Sequence, residues 1–304
     1  MKLFYKYLYI ICLFIFFAAC SSGNGEKKGK AKDDILSGEV SVLVDDSLLP
    51  IISEQKEVFE SSYSNAKVNL IAKPEIIAVN DLIKGEAAIA VLARELSPEE
   101  KKSFDQRSIT PRIYSVAYDA VVLVSNISRD STIKLSDIVE SIKGNDVLKE
   151  KLVIDNPNSS LLRYFRDAGK IEKVANNYLE VKGGVNEVLV DVAENANKIG
   201  ILSYNQYLTL ERSFSKKDKI RILSVLNDTL SSPRYVKPTQ ATLSTGEYPL
   251  RREIKVLNYQ PNQGLGMGFS AFMTGDRGQR IVLKSGLLPY QMPGREIIIR
   301  NSIN

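Results

Sequence analysis

Several short stretches of the chain carry side chains able to do chemistry, and one of them is suited to holding an anion. In "DNPNSSLLRYFRD", Asp155 to Asp167, an apolar strand-like run stops, and a Pro and small polar residues follow. A helical pattern then begins with Leu161, Leu162, Tyr164 and Phe165. Ser159 and Ser160 at that junction can cap the helix, since hydroxyls accept from its free first-turn amides. The same amides, the hydroxyls and Arg163 can also form an anion cradle, because a helix N-terminus carries partial positive charge. In "VDDSLLP", Asp46 and Ser47 stand ahead of a helical pattern that starts near Leu48, and Ser47 reads locally as its cap. Arg94 ends the run "AVLAREL" beside Glu95, with which a surface Arg would pair. Asp119 lies with Tyr118 at the centre of a long β-rich run. Asp45, Asp46 and Asp155 would supply general acid–base chemistry if they met across a cleft.

Composition narrows these options. The 304 residues contain no His and no Trp, are 44% hydrophobic and 25% charged, and carry a net charge of +5. Without His, Ser-His and Cys-His nucleophiles and imidazole metal sites are excluded. Neither a metal nor a cofactor is expected. No dense Lys/Arg block occurs beyond "EKKGKAK", so nucleic acid is not an expected partner. The glycine cluster "GLGMG", Gly264 to Gly268, lacks the spacing of a dinucleotide fingerprint and reads as a device for close helix–strand approach.

The N-terminus speaks to compartment. "MKLFYKYLYIICLFIFFAAC" places Lys2 and Lys6 before an apolar run and small residues before Cys20, the pattern of a signal peptide over 1–19. "FAAC" resembles a bacterial lipobox, which makes Cys20 the lipidated first residue of the mature chain. Cys12 leaves with the leader, so no intrachain disulfide is expected. The polar stretch that follows reads as a flexible tether over 20–35.

The elements that must position these groups follow in order. Val40, Val42 and Val44 alternate as a strand, and Leu48, Ile51, Ile52, Val58 and Phe59 continue at helical spacing. "AKVNLIAK", "NDLIKGE" and "AAIAVLAREL" extend this to βαβαβ, the sign of a parallel or mixed α/β sheet. The strand "YSVAYDAVVLVSN" is followed by the helix "KLSDIVESIKG", the strand–loop–helix of Ser159, and "GGVNEVLVDVAENANKIGILSYN". "KIRILSVLND" and "REIKVLNY" read as strands, and "GFSAFMTGDRGQRIVLKSGLLP" as two helical pieces. Tyr114 and Tyr118 read as core aromatics, and Arg251 and Arg252 as a solvated strand end.

This order resembles the substrate-binding lipoproteins of phosphate ABC transporters, and looks closest to their divergent Bacteroidetes-type branch. "VDDSLLPIISEQKEVFE", "AVLAREL", "AYDAVVLVSN", and "KIGILSYN" with "GQRIVLKSGLLP" carry the resemblance, which spans Gly38 to about Pro289. It implies a two-lobed α/β periplasmic-binding-protein-like fold of type II, with mixed sheets, flanking helices and two hinge crossovers. Residues 36–118 and 215–304 would form lobe one and 119–214 lobe two. It also implies a monomeric, periplasm-facing lipoprotein of the cell envelope, held to the membrane through Cys20, that delivers inorganic phosphate or a similar oxyanion to ABC permease subunits. Asp46, Ser47, Leu48, Arg94, Asp119, Ser159, Ser160 and Arg163 would line the interlobe cleft, with Asp46 able to accept the proton of hydrogen phosphate, Arg94 offering a planar fork to the tetrahedral oxyanion, and Asp119 either touching the ligand or hydrogen-bonding at the crossover. The alternative is a lipoprotein of the same fold that acts as a sensor or interaction protein, since the family's Gly and Thr are missing around Ser159. An enzyme is not expected.

Overall fold

Residues 34–294, apart from 176 and 178, are described by a computed structural model of the chain. Cys20, the leader and nearly all of the tether lie outside the described residues.

Strand β1 (Gly38–Asp45) buries Val42, Leu43 and Val44 completely, so both of its faces are covered, as in the centre of a doubly wound sheet. Asp46–Leu48 form one turn of 3₁₀ helix, and α1 (Leu49–Ser62) follows with Pro50 in its first turn, where a missing N–H costs nothing. Then come β2 (Ala66–Lys73), α2 (Glu75–Lys84) and β3 (Ile89–Leu92). Helix α2 ends at Gly85 with φ 85°, a left-handed cap that favours glycine. Helix α3 (Pro98–Asp105) starts with a capping box between Ser97 and Glu100.

Strand β4 (Arg112–Asn126) organises the sheet. Beyond it run β5 (Thr132–Lys134), α4 (Leu135–Lys143), β6 (Lys151–Ile154), α5 (Ser160–Gly169), β7 (Leu179–Val181) and α6 (Val185–Glu194). Next are β8 (Lys198–Ser203), α7 (Tyr204–Glu211), β9 (Ile220–Ile222), β10 (Ser224–Asn227), β11 (Arg234–Val236) and α8 (Gln240–Ser244). The described residues close with β12 (Arg251–Asn258), α9 (Leu265–Thr274), α10 (Asp276–Lys284) and β13 (Leu288–Pro289).

The principal sheet runs β2-β1-β3-β12-β4-β8-β6-β7, with β9 and β13 also on β4. The first part of β4 pairs antiparallel with β12, ending at Ala120 opposite Arg251. From Val121 onward it pairs with β8. One strand thus belongs to two half-sheets and changes partner between Ala120 and Val121.

Each half-sheet has a core on both faces. In the first half, Val42, Ile51, Phe59 and Phe269 pack on one side, and Leu43, Val79, Leu82 and Leu257 on the other. In the second half, Leu123, Ile138, Leu161 and Phe165 form one core and Val122, Val188, Leu189 and Leu202 the other. Leu223, Val225, Val236, Leu243, Tyr248 and Leu250 join the core of Ile138 and Phe165. Residues 220–250 therefore pack on the second half, whereas the sequence reading places everything after 214 with the first. The cause is the small sheet β11-β10-β5, whose β10 pairs with β5.

The "GLGMG" glycines lie at the start of α9, Gly264 as its cap residue. A Cβ on Gly266 would come within 2.1 Å of the Ile89 side chain, and one on Gly268 within 1.6 Å of the Ile35 carbonyl oxygen. Close approach of other segments is what requires glycine there.

Candidate functional site

Ser47 sits in the turn after β1, and Ser160 is the first residue of α5 after β6. Both lie at carboxyl ends of parallel strands, the usual place for a ligand in an open α/β sheet. Their hydroxyl oxygens are 3.2 Å apart although the residues are separated by 113 positions. Arg252, from β12, donates through Nη1 to Ser160 Oγ at 2.7 Å and through Nη2 to Ser47 Oγ at 2.9 Å. Behind it, Asp119 Oδ2 accepts from Arg252 Nε at 2.9 Å and Nη2 at 2.7 Å. Ser47, Ser160 and Asp119 are fully buried and Arg252 is 5% exposed.

The cluster is braced by α7. Ser203 Oγ donates to the Ser47 carbonyl at 2.7 Å. Asn205 donates its N–H to Asp119 Oδ1 at 3.0 Å, and its Oδ1 accepts from Ile51 N–H at 2.9 Å. The Asp119 carboxyl is pushed upward by burial, with the Arg252 charge and the amides of Ala120 and Asn205 pulling the other way.

Of the two expected helix N-termini, only one has donors to offer. At α1, the Leu49 amide bonds to Asp46 O, Pro50 has none, and the Ile51 amide is taken by Asn205. At α5, no acceptor among the described residues takes the amides of Ser160 or Leu161. Ser159 acts as the cap, its hydroxyl accepting from Leu162 N–H at 3.4 Å. Leu48 is fully buried in the core of the first half-sheet.

Arg94 and Arg163 do not join the serines. Arg94 Nε and Arg163 Nε both donate to Glu75 Oε1, at 2.8 and 2.6 Å. Arg94 also grips Glu100 with Nη1 at 2.6 Å and Nη2 at 2.9 Å. Burial works against the Arg94 charge, but Glu100 and Glu75 outweigh it and hold its pKa above the ordinary value. Its acidic partners are thus Glu75 and Glu100, and Glu95 gives it only a backbone carbonyl.

Asp46 precedes Ser47 in the turn after β1. Its carboxyl is pushed up to about 7, first by burial and then by the charges of Asp45 and Asp155 and a hydrogen bond with Asp45. Burial likewise raises Asp155, which also feels Asp45. One oxygen each of Asp45, Asp46 and Asp155 is buried without a partner.

The residue that the sequence reading missed is Arg252. It is buried, not a solvated strand end, while Arg251 lies over the Tyr118 ring at 4.4 Å. The signal was present: along β12, Arg252, Ile254 and Val256 are buried and alternate with half-exposed Arg251, Glu253 and Lys255.

Residues 28–277 match the family model of the PBP superfamily domain. The chain belongs to that family. Among relatives of this domain, a protein of Staphylococcus haemolyticus called phosphate-binding protein PstS is 22% identical over 251 residues, covering 79% of this chain and 77% of its own. A Clostridium perfringens structure, described as a phosphate ABC transporter substrate-binding protein with bound phosphate, superimposes with TM-score 0.67. It is 18% identical and covers 84% of this chain and all of the other. An ABC-type phosphate transport receptor of Vibrio cholerae gives TM-score 0.64 at 16% identity, covering 83% of this chain and all of its own. The periplasmic-binding-protein-like fold is thereby shown for this PBP superfamily member.

Proposed function

We propose that this chain is a lipid-anchored solute-binding protein that captures inorganic phosphate, or a similar tetrahedral oxyanion, in a cleft between two lobes and presents it to an ABC importer. The observation that carries the reading is the Arg252 fork, held from behind by Asp119 and reaching one hydroxyl from each half-sheet. The phosphate-binding relatives agree with it.

One lobe comprises residues 34–120 and 251–294, the other residues 121–250, a division that the two pairs of cores support. The two crossovers are the Asp119–Val121 step of β4 and the entry into β12. With Ser47 and Ser160 in contact, the site is shut on itself. Entry of an oxyanion requires the lobes to part, by hinge motion at the crossovers. The anion then takes the place the hydroxyls occupy at the guanidinium edge. Arg252, the two serines and the Ser160 and Leu161 amides become its donors, while Asp119 keeps Arg252 oriented. Each buried donor left without an acceptor would cost about 1–3 kcal/mol, which favours ligands with oxygens on every side. Binding and release, with no bond made or broken, are the whole of the chemistry. Cys20 supplies the lipid anchor.

Calorimetric titration with phosphate, sulfate and molybdate tests the reading. Saturable phosphate binding that is lost in Arg252→Ala supports it. No heat and no thermal shift with any oxyanion would sink it and favour a sensor or interaction role.

A further inference from the structure

Glu75, the first residue of α2, is fully buried although it is a carboxylate. Its Oε1 takes guanidinium N–H groups from Arg94 and Arg163. Arg94 follows β3 and stands on the first half-sheet with Glu75, whereas Arg163 lies on α5, in the second. The Glu75–Arg163 contact thus joins elements that pack on different half-sheets. Beside it, Ile76 N–H reaches the Asn158 carbonyl at 3.5 Å. Arg163 comes three residues after Ser160, so the two side chains lie one turn apart on one face of α5.

We propose that Glu75 is a positioning residue for ligand capture: it holds Arg163, and with it the Ser160 end of α5, against the opposing lobe when the cleft shuts. This rests on the two-lobe reading given above. Each guanidinium has an acid on its own side as well, Glu100 for Arg94 and Asp167 for Arg163. Parting the lobes therefore leaves neither cation without a carboxylate, and the contact can break and re-form. Closing without Glu75 is different. Two half-buried guanidiniums would approach with no negative charge between them, and like charges in a low dielectric repel strongly. Glu75 therefore sets how much of the protein is closed, and apparent affinity scales with that fraction. It does so without touching the ligand.

The test is Glu75→Gln, read by phosphate calorimetry, by dissociation rate and by small-angle X-ray scattering of the ligand-free protein. The expected result is roughly tenfold weaker phosphate binding, carried by faster dissociation, with a larger ligand-free radius of gyration. Arg163→Ala, whose side chain is partly exposed, should reproduce these changes and keep the test open if Glu75→Gln fails to fold. Adding Arg163→Ala to Glu75→Gln should bring little further loss, since both remove one contact. A lower melting temperature with unchanged affinity, or losses that add fully in the double variant, would overturn the proposal. If the wild type binds no phosphate, the functional reading falls, and scattering alone then decides the clasp: an unchanged ligand-free radius overturns it.

Discussion

Arg252 lies directly opposite Asp119 across the β12–β4 ladder, and the two side chains are joined by two hydrogen bonds to one carboxylate oxygen. The pairing fixes the guanidinium plane so that its outer edge faces Ser47 and Ser160. It also places the charged pair where β4 passes from one half-sheet to the other. An oxyanion at that edge would touch both halves and the strand connecting them.

Replacing one member of this pair should separate stability from binding. Arg252→Ala leaves a fully buried carboxylate unpaired, so unfolding free energy should fall by about 3–5 kcal/mol. Asp119→Asn in the same chain should restore much of that stability and none of the phosphate affinity. Urea unfolding and calorimetry on the two variants check this.

Ser160→Ala removes the acceptor of Arg252 Nη1 and a donor to the ligand. Phosphate should bind about five- to 150-fold more weakly, the range expected for one unsatisfied buried polar group. Ser159→Ala should chiefly cost helix stability, about 1 kcal/mol, because that hydroxyl caps α5. Equal affinity losses in the two variants would contradict the assignment.

Asp46 predicts a pH dependence of definite sign. Its folded-state pKa of about 7, raised by burial and by Asp45 and Asp155, lies above the ordinary carboxylate value. Between those two values the folded chain holds a proton that the unfolded chain has lost. Stability should therefore fall as pH rises through that window and level off above about 7. Asp155 and Asp119, also raised, act in the same direction. Melting temperatures from pH 5 to 8.5 should show the decline, and Asp46→Asn should flatten its upper part.

Asn205→Ala tests the brace. The substitution frees Ile51 N–H at the start of α1 and removes the tie between α7 and that helix. A loss of about 1–3 kcal/mol in stability is expected, since a buried amide is left without its acceptor. Hydrogen exchange at Ile51 should rise with it.

Much of this architecture was readable from periodicity. Alternating valines in β1, the Gly85 stop and the serine start of α5 each rest on local backbone physics, so short windows suffice. The capping box of α3 was equally local and was passed over, because "SPEE" follows "AREL" without an apolar run. Arg252 was in phase with buried Ile254 and Val256, yet an arginine pair at a strand start reads most simply as solvated. Arg94 and Arg163 were singled out as anion donors, yet both donate to Glu75, and nothing in their sequence surroundings revealed that common partner.

By itself the chain order determined the α/β class, the strands and helices, and the serines at strand ends, because hydrophobic spacing and caps act over a few residues. Tertiary structure decided which arginine meets those serines. Asp119 and Arg252 are 133 positions apart, and they face each other only because β12 inserts between β3 and β4. Periodicity tells which face of a strand a side chain occupies; strand order and register tell what stands opposite, and those are settled by packing of the whole sheet.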